Sequence, residues 1–474
     1  MRRRIILSIA IAVFLALGVA AVFAQDEASL LSNAENTYIY VDNKYTRATK
    51  LTDSNWTTKY ELPAGSEIVI ESSEGDIHSL YIIWDKVPAP YIIECDMGAH
   101  PYADSGGENG FLHEYIELFM PTHRIAIHVP EGGVTICDIF AYGEGETPAR
   151  AQLWEPPCED ADMLLLSTHA DDEHLFFGGT MPTYAGERGY KLQVAYLNHH
   201  REQPYRQHEL LKGLYTVGIR NYPVIAEFAD TYSESLEHAK KIWDLNEVKA
   251  FEVMLLRRFK PEVVITHDIN GEYGHGGHML GAWVMQQAIE WAADPEWKAE
   301  GSGEYAQQAN SLPPYAIKKM YMHLWPEGAV SMNWDLPLEN FGGKTALDMA
   351  KEGYACHASQ QKWFQVRTDG VFDCRAFGLY HSAVGPDSGE GDPDFFENIT
   401  ESDFSDYIPP DPDPVEEPDP KEPQVQEPPI EAEPDRSWGF IEDYGIFIIA
   451  AAIIAAIGIL AALIRKLFTK KGKH

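Results

Sequence analysis

The first third of the chain carries short runs of β-branched and aromatic residues. Gly, Pro, Asn and Asp separate these runs at roughly the 8 to 12 residue spacing of a β-sandwich. No long amphipathic helix pattern interrupts them, so we predict an all-β module over residues 25–150. Its predicted strands are residues 38–41, 67–70, 79–84, 91–94, 115–119, 124–128 and 134–141.

From residue 161 onward, the pattern changes to strands that alternate with helices. Residues 163–167 (MLLLS) are a continuous apolar run, as expected of a strand buried on both faces, and residues 192–197 and 263–266 repeat it. The order strand, helix, strand, helix predicts a parallel, Rossmann-like α/β sheet over residues 151–400. Apolar residues at helical spacing lie between the strands, at Leu210, Leu211, Leu214 and Val217 and within residues 236–259.

A strongly polar motif, THADDEH at residues 168–174, directly follows the first of these strands. In parallel α/β sheets, ligands bind outside the carboxyl ends of the strands, which is where this motif lies. Carboxylates crowded in this way repel one another unless hydrogen bonds or a cation compensate their charge. A bound metal ion would supply that compensation, so the motif predicts a metal site.

A second polar motif, HDINGEYGHGGH at residues 267–278, follows the strand at 263–266. The next predicted helix covers about residues 279–293, so His278 lies at its first turn and His275 lies on the loop before it. Both histidines can therefore face one pocket. Because the two motifs close strands of the same sheet, we expect them to build one site.

The two motifs resemble the signatures of the PIG-L/LmbE-like zinc-dependent de-N-acetylases, the family of N-acetylglucosaminyl-phosphatidylinositol de-N-acetylase. Residues 169–173 (HADDE) resemble the family's His-Pro-Asp-Asp-Glu, and residues 271–278 resemble its second, Gly-His-Pro-Asp-His-like motif. This sequence departs from the pattern at Ala170, in place of Pro, and at Gly276 and Gly277, in place of Pro-Asp. The resemblance covers about residues 161–400, with further matching positions at Arg206, Glu209, Leu214, Gly218, Asp230 and residues 357–360 (HASQ).

Carried over position by position, the resemblance implies that His169, Asp172 and His278 bind the metal and that Asp171 is the base. Two histidines and one carboxylate suit Zn²⁺ and leave an open position for water, whose pKa the ion lowers to about 7. The same ligands also suit Fe²⁺, Mn²⁺ or Co²⁺. The implied reaction is hydrolysis of an acetamide, with the proton returned to the leaving amine.

Further residues of the motifs receive supporting roles from the same resemblance. His275 or Tyr273 is expected to donate to the oxyanion that forms on the acetamide carbonyl. Arg206 is expected to hold substrate hydroxyls or a phosphate, with an ion pair to Glu209 as the equally weighted alternative.

Several other polar residues lie near the predicted strand ends. Glu173 and Asp268 are expected to orient the histidine ligands. His199 and His200 are adjacent at the end of a strand, so at most one of them can point into the pocket. His323 lies in an aromatic run that we predict to be part of the sheet.

The sequence also bears on dinucleotide binding and on disulfide formation. No Gly-x-Gly-x-x-Gly follows a strand, which excludes a dinucleotide-dependent oxidoreductase. The five cysteines are too few for a disulfide scaffold, but disulfides between Cys95 and Cys137 and between Cys356 and Cys374 are compatible with an exterior location. Cys158 is then left over.

The two ends of the chain predict a single-pass type I membrane protein. Three arginines, an apolar run and small residues indicate a signal peptide at residues 1–24, with an uncleaved anchor as the alternative. The uncharged residues 444–464 reach roughly 31 Å as a helix, enough to span a bilayer core. The basic tail at residues 465–474 is expected in the cytoplasm and the catalytic region outside. Residues 401–443, acidic and rich in proline, are predicted to be an extended stalk.

The chain has 474 residues, and its 73 Asp and Glu against 37 Lys and Arg give a net charge of -36. Nucleic acid is therefore excluded as a partner, because phosphate binding needs clustered Lys and Arg. Residues 25–400 hold 58 acidic and 27 basic residues, a net charge of -31. We therefore expect a neutral or cationic amino-sugar chain as the substrate rather than a strongly anionic polymer.

Two classes of function remain. The first is a metal-dependent amide hydrolase that removes acetyl groups from N-acetylated amino sugars, of N-acetylglucosamine type, in an extracellular glycan or glycoconjugate. The alternative is a non-catalytic surface protein for glycan binding or adhesion, with a relic deacetylase domain. Residues 51–58 and 134–142 resemble discoidin-like or carbohydrate-binding jelly rolls, although a plain scaffolding sandwich fits them equally well. Retention of every hydrolytic position favours the hydrolase, and the sequence identifies no protein partner.

Overall fold

The computed structural model describes residues 27–32, 37–42, 44–46, 50–95, 102–362 and 364–400. Among these residues, no helix combines the length and the apolar character that a membrane span needs. Four predicted segments lie outside the described residues: the signal peptide (1–24), the stalk (401–443), the transmembrane helix (444–464) and the cytoplasmic tail (465–474).

The N-terminal region is β-rich, as predicted, and its strands pair antiparallel in two sheets. The strands are β1 (Thr37–Val41), β2 (Lys44–Thr46), β3 (Tyr60–Leu62), β4 (Glu67–Ser72), β5 (Ile77–Trp84), β6 (Tyr91–Cys95), β7 (Tyr102–Gly106), β8 (His113–Thr122), β9 (Arg124–His128) and β10 (Val134–Tyr142). One sheet has the order β2-β1-β4-β9-β6-β7 and the other β3-β10-β5-β8. Buried and exposed side chains alternate along β6, so Tyr91, Ile93 and Cys95 face the core. The short strands β2, β3 and β7 were not predicted.

The second region contains one seven-stranded sheet. Its strands are β11 (Met163–Ser167), β12 (Leu192–His199), β13 (Val224–Ala229), β14 (Val263–Thr266), β15 (Lys319–His323), β16 (Ala329–Ser331) and β17 (Ala376–Ser382). The order is β13-β12-β11-β14-β15-β17-β16. The first five strands in this order are parallel to one another, and β17 is antiparallel to its neighbours β15 and β16. The five parallel strands have the Rossmann order 3-2-1-4-5, which confirms the predicted α/β class.

The helices cover both faces of this sheet. They are α1 (Asp172–Leu175), α2 (Pro204–Thr216), α3 (Leu236–Ile242), α4 (Leu245–Phe259), α5 (Gly276–Ala293), α6 (Glu304–Ser311) and α7 (Ala346–Ala355), with a π-helical turn at Pro182–Glu187 and 3₁₀ turns at Glu272–Gly274, Glu339–Phe341 and Gly370–Phe372. The pattern at residues 236–259 is two helices because the Asp244 carboxylate caps a new helix, accepting from the Asn246 N–H at 2.9 Å. Helix α5 begins earlier than predicted because His275 caps it.

The parallel strands are apolar throughout because both of their faces are buried. Leu165, Val194 and Ile265 belong to the core that also contains the apolar side of α2. Leu164 and Val264, one residue away along their strands, belong to a second core with α4 and α5. Successive side chains of a strand point to opposite faces of the sheet, so one continuous apolar run contributes to the cores on both faces.

The two regions pack into one compact unit, and α2 lies where they meet. The Phe111 and Tyr222 rings stack with their centroids 4.6 Å apart, and the Leu112 N–H donates to the Tyr222 hydroxyl at 3.1 Å. His113 on β8 contacts His208 on α2, with 2.9 Å between Nε2 and Nδ1. The sandwich is therefore packed against the helix that also carries Arg206.

Neither of the two disulfides that the sequence allows forms, and all five cysteines are free. Cys95 lies on β6 and Cys137 on β10, in different sheets, and the Cys137 thiol faces the sandwich–helix junction. The Cys356 thiol lies 3.6 Å from the Thr216 hydroxyl instead of facing Cys374.

A buried arginine closes the carboxyl end of α5. Arg257, which is 1% exposed, donates to the carbonyls of Ala292 (3.1 Å), Ala309 (2.9 Å), Trp291 (3.1 Å) and Asp294 (2.8 Å). The last carbonyls of a helix have no partner within the helix, and this side chain donates to them. The Ala292 carbonyl also accepts the Tyr315 N–H at 2.9 Å, and the Asp294 carbonyl accepts the Trp297 N–H at 3.4 Å.

Arg257→Met is expected to lower the free energy of unfolding by about 3 kcal/mol, because it removes four buried hydrogen bonds and leaves the Trp291 and Ala309 carbonyls without their side-chain donor. Arg258→Met, at the adjacent exposed position, is the matched control and should change it by less than about 0.5 kcal/mol. Urea unfolding followed by circular dichroism measures both values, and equal effects of the two substitutions would contradict the assignment.

Candidate active site

Every parallel strand of the α/β sheet delivers a polar side chain to the same edge. Because the carboxyl ends of parallel strands meet there, residues far apart in sequence become neighbours. The residues are His169 after β11, His200 after β12, Asp230 after β13, His267 after β14 and His323 at the end of β15.

The three ligands implied by the sequence converge at this edge. His169 Nδ1 lies 3.0 Å from Asp172 Oδ2 and 3.2 Å from His278 Nε2, and the latter two atoms are 3.1 Å apart. All three side chains are buried. Ligand atoms around a tetrahedral Zn²⁺ lie about 3.3 Å from one another, so two imidazole nitrogens and a carboxylate oxygen at this spacing fit a divalent metal. His275 and His267 lie next to this triangle, but Nε2 of His267 accepts the Thr168 N–H at 3.0 Å.

Glu272 organises the histidines on one side of this triangle. Its carboxylate accepts from Nδ1 of His278 at 2.7 Å, of His267 at 2.9 Å and of His323 at 2.7 Å. Burial alone would raise the pKa of Glu272, but His267 and the other two rings hold it well below its usual range. With Nδ1 of His278 used for Glu272, its Nε2 remains as the metal-binding atom.

His278 shows how strongly this environment favours positive charge. Burial acts to lower its pKa, but the Asp172 and Glu272 carboxylates on its two sides raise it to about 10. A divalent cation beside Asp172 therefore enters a position that the surrounding groups already stabilise for positive charge.

Asp230 is the carboxylate that holds polar side chains on the opposite side of the donor triangle from Glu272. Its carboxylate lies 3.6 Å from His169 Nε2, accepts from His200 Nδ1 at 3.1 Å and accepts from Arg206 at 3.2 Å. Burial opposes ionisation, but the His200 hydrogen bond and the His169 charge hold the pKa of Asp230 well below its usual range. His200 also accepts the Ala170 N–H at 3.0 Å, so one of the two adjacent histidines does reach the site.

Arg206 points to the site rather than to Glu209. Besides contacting Asp230, it donates to the Ala170 carbonyl at 2.8 Å and lies 3.7 Å from Asp171. Glu209 instead accepts from the Ser359 N–H at 2.9 Å and the Ser359 hydroxyl at 2.6 Å. The alternative of an Arg206–Glu209 ion pair is therefore wrong.

Asp171 is buried beside the donor triangle, with φ at 112°, a value that an L residue adopts only when its surroundings impose it. Its N–H donates to Glu173 at 2.7 Å, and Glu173 in turn contacts His357 Nε2 at 3.0 Å. Burial and the adjacent Asp172 carboxylate raise the pKa of Asp171, against the effect of Arg206. A raised pKa suits a group that exchanges a proton near neutral pH.

The structure changes two predicted supporting roles. Glu173 orients no ligand histidine, since it holds the Asp171 backbone and contacts His357. Asp268 accepts from the N–H and the side-chain amide of Asn270, at 3.0 and 3.1 Å, and so shapes a turn. Glu272 takes the role predicted for Asp268, and its position within the same His-rich motif was the only sequence signal for it.

His275 and Tyr273 flank the donor triangle. His275 Nδ1 accepts the Gly277 N–H at 3.1 Å, so the neutral ring carries its proton on Nε2. Burial and the His169 and His278 charges lower the pKa of His275 to about 2, which keeps this ring neutral. Tyr273 is 40% exposed, and its ring centroid lies 5.3 Å from that of His278.

The departure from the family pattern at Gly276 has a steric cause. Its N–H donates to the Ser233 carbonyl at 2.8 Å, which a proline cannot do. A Cβ there would lie 2.3 Å from the Ser235 carbonyl oxygen, so the 233–235 loop leaves room for glycine alone.

Comparison with known proteins places this region in a family. The family profile described as PIG-L: GlcNAc-PI de-N-acetylase matches residues 164–289. A 1D-myo-inositol 2-acetamido-2-deoxy-alpha-D-glucopyranoside deacetylase of Streptomyces avermitilis is 28% identical over 220 residues, which cover 40% of this chain and 71% of that protein. A deacetylase of the same description from Catenulispora acidiphila is 30% identical over 164 residues, 29% of this chain and 51% of that protein.

A solved structure is also similar. It is an N,N'-diacetylchitobiose deacetylase from Pyrococcus horikoshii in complex with an inhibitor, at a TM-score of 0.33 and 15% identity, over 43% of this chain and 72% of that chain. The sequence relatives are deacetylases, and the matched segments span between about half and 71% of the two relatives described. Residues 164–289 of this chain are a PIG-L family domain, and its homologues are deacetylases of the LmbE/PIG-L type.

Proposed function

We propose that this protein is a metal-dependent amide hydrolase that removes the acetyl group from N-acetylated amino sugars of the N-acetylglucosamine type. The observation that carries the proposal is the triangle of His169 Nδ1, Asp172 Oδ2 and His278 Nε2, with atoms 3.0 to 3.2 Å apart beside a buried aspartate. The relatives' action on 2-acetamido sugars supports the substrate class.

A divalent ion held by this triangle, with Zn²⁺ as our proposal, supplies a Lewis acid for water and for the amide carbonyl. The protein's own residues do the rest. Asp171 takes the proton of the attacking water and returns it to the leaving amine. His275 donates from Nε2 to the oxygen of the acetamide as negative charge develops there, because its Nδ1 is already occupied by the Gly277 N–H.

The substrate is held by groups at the rim of the site. Arg206 donates to Asp230 and to the Ala170 carbonyl, and it thereby fixes the partly exposed Asp230 carboxylate, which can accept from a sugar hydroxyl. Tyr273 presents an exposed aromatic ring against which a sugar face can pack. A location outside the cell, with a C-terminal membrane anchor, remains part of the proposal on the sequence of the two chain ends.

Removal of the metal should abolish acetate release from N-acetylglucosamine and N,N'-diacetylchitobiose, and Zn²⁺ or Co²⁺ should restore it. The reason is that the protein groups alone provide no Lewis acid for the amide carbonyl. Acetate is measured after chelator treatment, dialysis and readdition of each ion. A protein that never releases acetate, with any ion or acylated amino sugar, supports the alternative of a non-catalytic glycan-binding protein.

Asp171→Asn should lower kcat by about 10²- to 10⁴-fold, because the amide cannot accept the water's proton. Its metal content should stay at the wild-type value, since Asp171 is not part of the triangle. Asp160→Asn is the control: this carboxylate is exposed and pairs with Lys260 at 2.8 Å, just before the amino ends of β11 and β14 and thus at the end of the sheet opposite to the site. A wild-type rate for Asp171→Asn would rule out its role as the base.

Glu272→Gln should weaken metal binding by about 10- to 100-fold, because it replaces the carboxylate that fixes the ring of His278. Excess metal should then restore much of the lost rate. Glu252→Gln is the matched control, since Glu252 is also fully buried but has no hydrogen-bond partner among the described residues. Metal affinity is measured by competition with a chromophoric chelator, and equal affinities of the two variants would contradict the proposed role.

A further inference from the structure

A second group of metal-binding side chains lies away from the deacetylase site, at the junction of the sandwich and α2. It consists of Asp85 after β5, Cys137 on β10 and His208 on α2, all buried. One donor atom from each residue lies within 4.8 Å of the donor atoms of the other two. Two of the three residues come from the sandwich and one from the α/β region, so the group joins the two.

The donor types at this junction differ from those of the deacetylase site. Cys137 Sγ lies 4.0 Å from His208 Nε2, slightly more than the separation of about 3.5 Å between sulfur and nitrogen ligands of a tetrahedral Zn²⁺. A thiolate, an imidazole and a carboxylate form a ligand set that suits Zn²⁺ and excludes Mg²⁺ and Ca²⁺, which prefer oxygen alone. Three protein ligands leave one position for a water molecule.

The imidazole nitrogen of His208 that points away from Cys137 has a hydrogen-bond partner, as is usual for metal-binding histidines. His208 Nδ1 lies 2.9 Å from His113 Nε2, and His113 Nδ1 lies 2.7 Å from the Tyr81 hydroxyl. In the tautomer that binds metal, each ring N–H donates away from the cluster, and Nε2 of His208 faces the thiol. Metal-binding histidines almost always have such a partner on the other nitrogen, since it fixes both the tautomer and the ring orientation.

The surroundings provide access and charge balance. A cavity of about 460 Å³ reaches Asp85, and Leu112, Leu211 and Tyr222 are among the other residues that line it. The Lys59 ammonium contacts the Asp85 carboxylate, so a cation already sits against this oxygen. Lys59 is 34% exposed in its side chain, which lets it turn toward solvent when an ion takes its place.

We propose that Asp85, Cys137 and His208 form a Zn²⁺ site that fastens the β-sandwich to α2. The site is structural and is independent of the proposed deacetylase metal. His208 is two residues from Arg206 on the same helix, and side chains with that spacing point to different sides. A metal on the sandwich side therefore fixes the helix that presents Arg206 to the deacetylase site.

The test uses Co²⁺ as the probe on the full chain after chelator treatment. Of the two proposed sites, this one offers sulfur, whereas the deacetylase triangle contains nitrogen and oxygen donors alone. Wild-type protein should bind two Co²⁺ per chain and show the near-ultraviolet charge-transfer band of a thiolate–cobalt bond. Added Zn²⁺ should displace the Co²⁺ and abolish the band. Cys137→Ala should lose the band and one Co²⁺. Cys95→Ala removes an equally buried thiol of the same sandwich and should keep both.

His278→Ala separates this site from the deacetylase centre, because it should lose one Co²⁺ and all acetate release but keep the thiolate–cobalt band. If Cys137→Ala fails to fold, as judged by circular dichroism, the wild-type and His278→Ala spectra decide the question. Absence of the band from both proteins, or an unchanged band and Co²⁺ count in folded Cys137→Ala, would overturn the proposal. Neither result would bear on the deacetylase metal.

Discussion

The active-site end of the α/β sheet depends on one buried carboxylate. Glu272 accepts from His267 at the end of β14, from His323 at the end of β15 and from His278 at the start of α5. Burying a charged carboxylate costs several kcal/mol unless donors compensate it, and three imidazole N–H groups do so here. Because these donors come from three elements, the same hydrogen bonds that stabilise the charge also fix the positions of the two strand ends and the helix. In that arrangement, Nε2 of His278 faces Asp172 and His169, as the proposed metal site requires.

The sequence predicted the parts of this structure that depend on local pattern. Apolar runs such as residues 163–167 identify buried parallel strands, because both faces of such a strand need apolar side chains. Strand β13 was not predicted because exposed residues interrupt its buried positions, so no continuous apolar run marks it. Strand β17 was not predicted because its place in the sheet depends on pairing with β15, which is distant in sequence. Capping side chains also moved helix boundaries away from the predicted ones. The clearest case is His275, which caps α5 and so places its start before the predicted one.

The site shows the same division between local and long-range information. His169, Asp172 and His278 could be identified because their motifs are compact in sequence. Glu272 and His200 could not be assigned roles, since each acts through groups from other strands. The contacts of Glu173 likewise could not be read from its neighbours in the motif, because its partner His357 lies 184 residues away.

The contacts of Asp171, the proposed base, extend beyond the region that the family profile matches. Asp171 keeps a φ of 112°, a conformation that costs about 1 to 3 kcal/mol, and its N–H is held by Glu173. Glu173 is in turn held by His357, which lies after residue 289, where the profile match ends. His323, which shares Glu272 with His278, also lies beyond that point. A chain cut at residue 289 would keep all three ligands of the triangle and the base, but it would lose groups that set the geometry of Asp171 and His278. The segment that follows the matched region therefore helps to set the geometry of the proposed site.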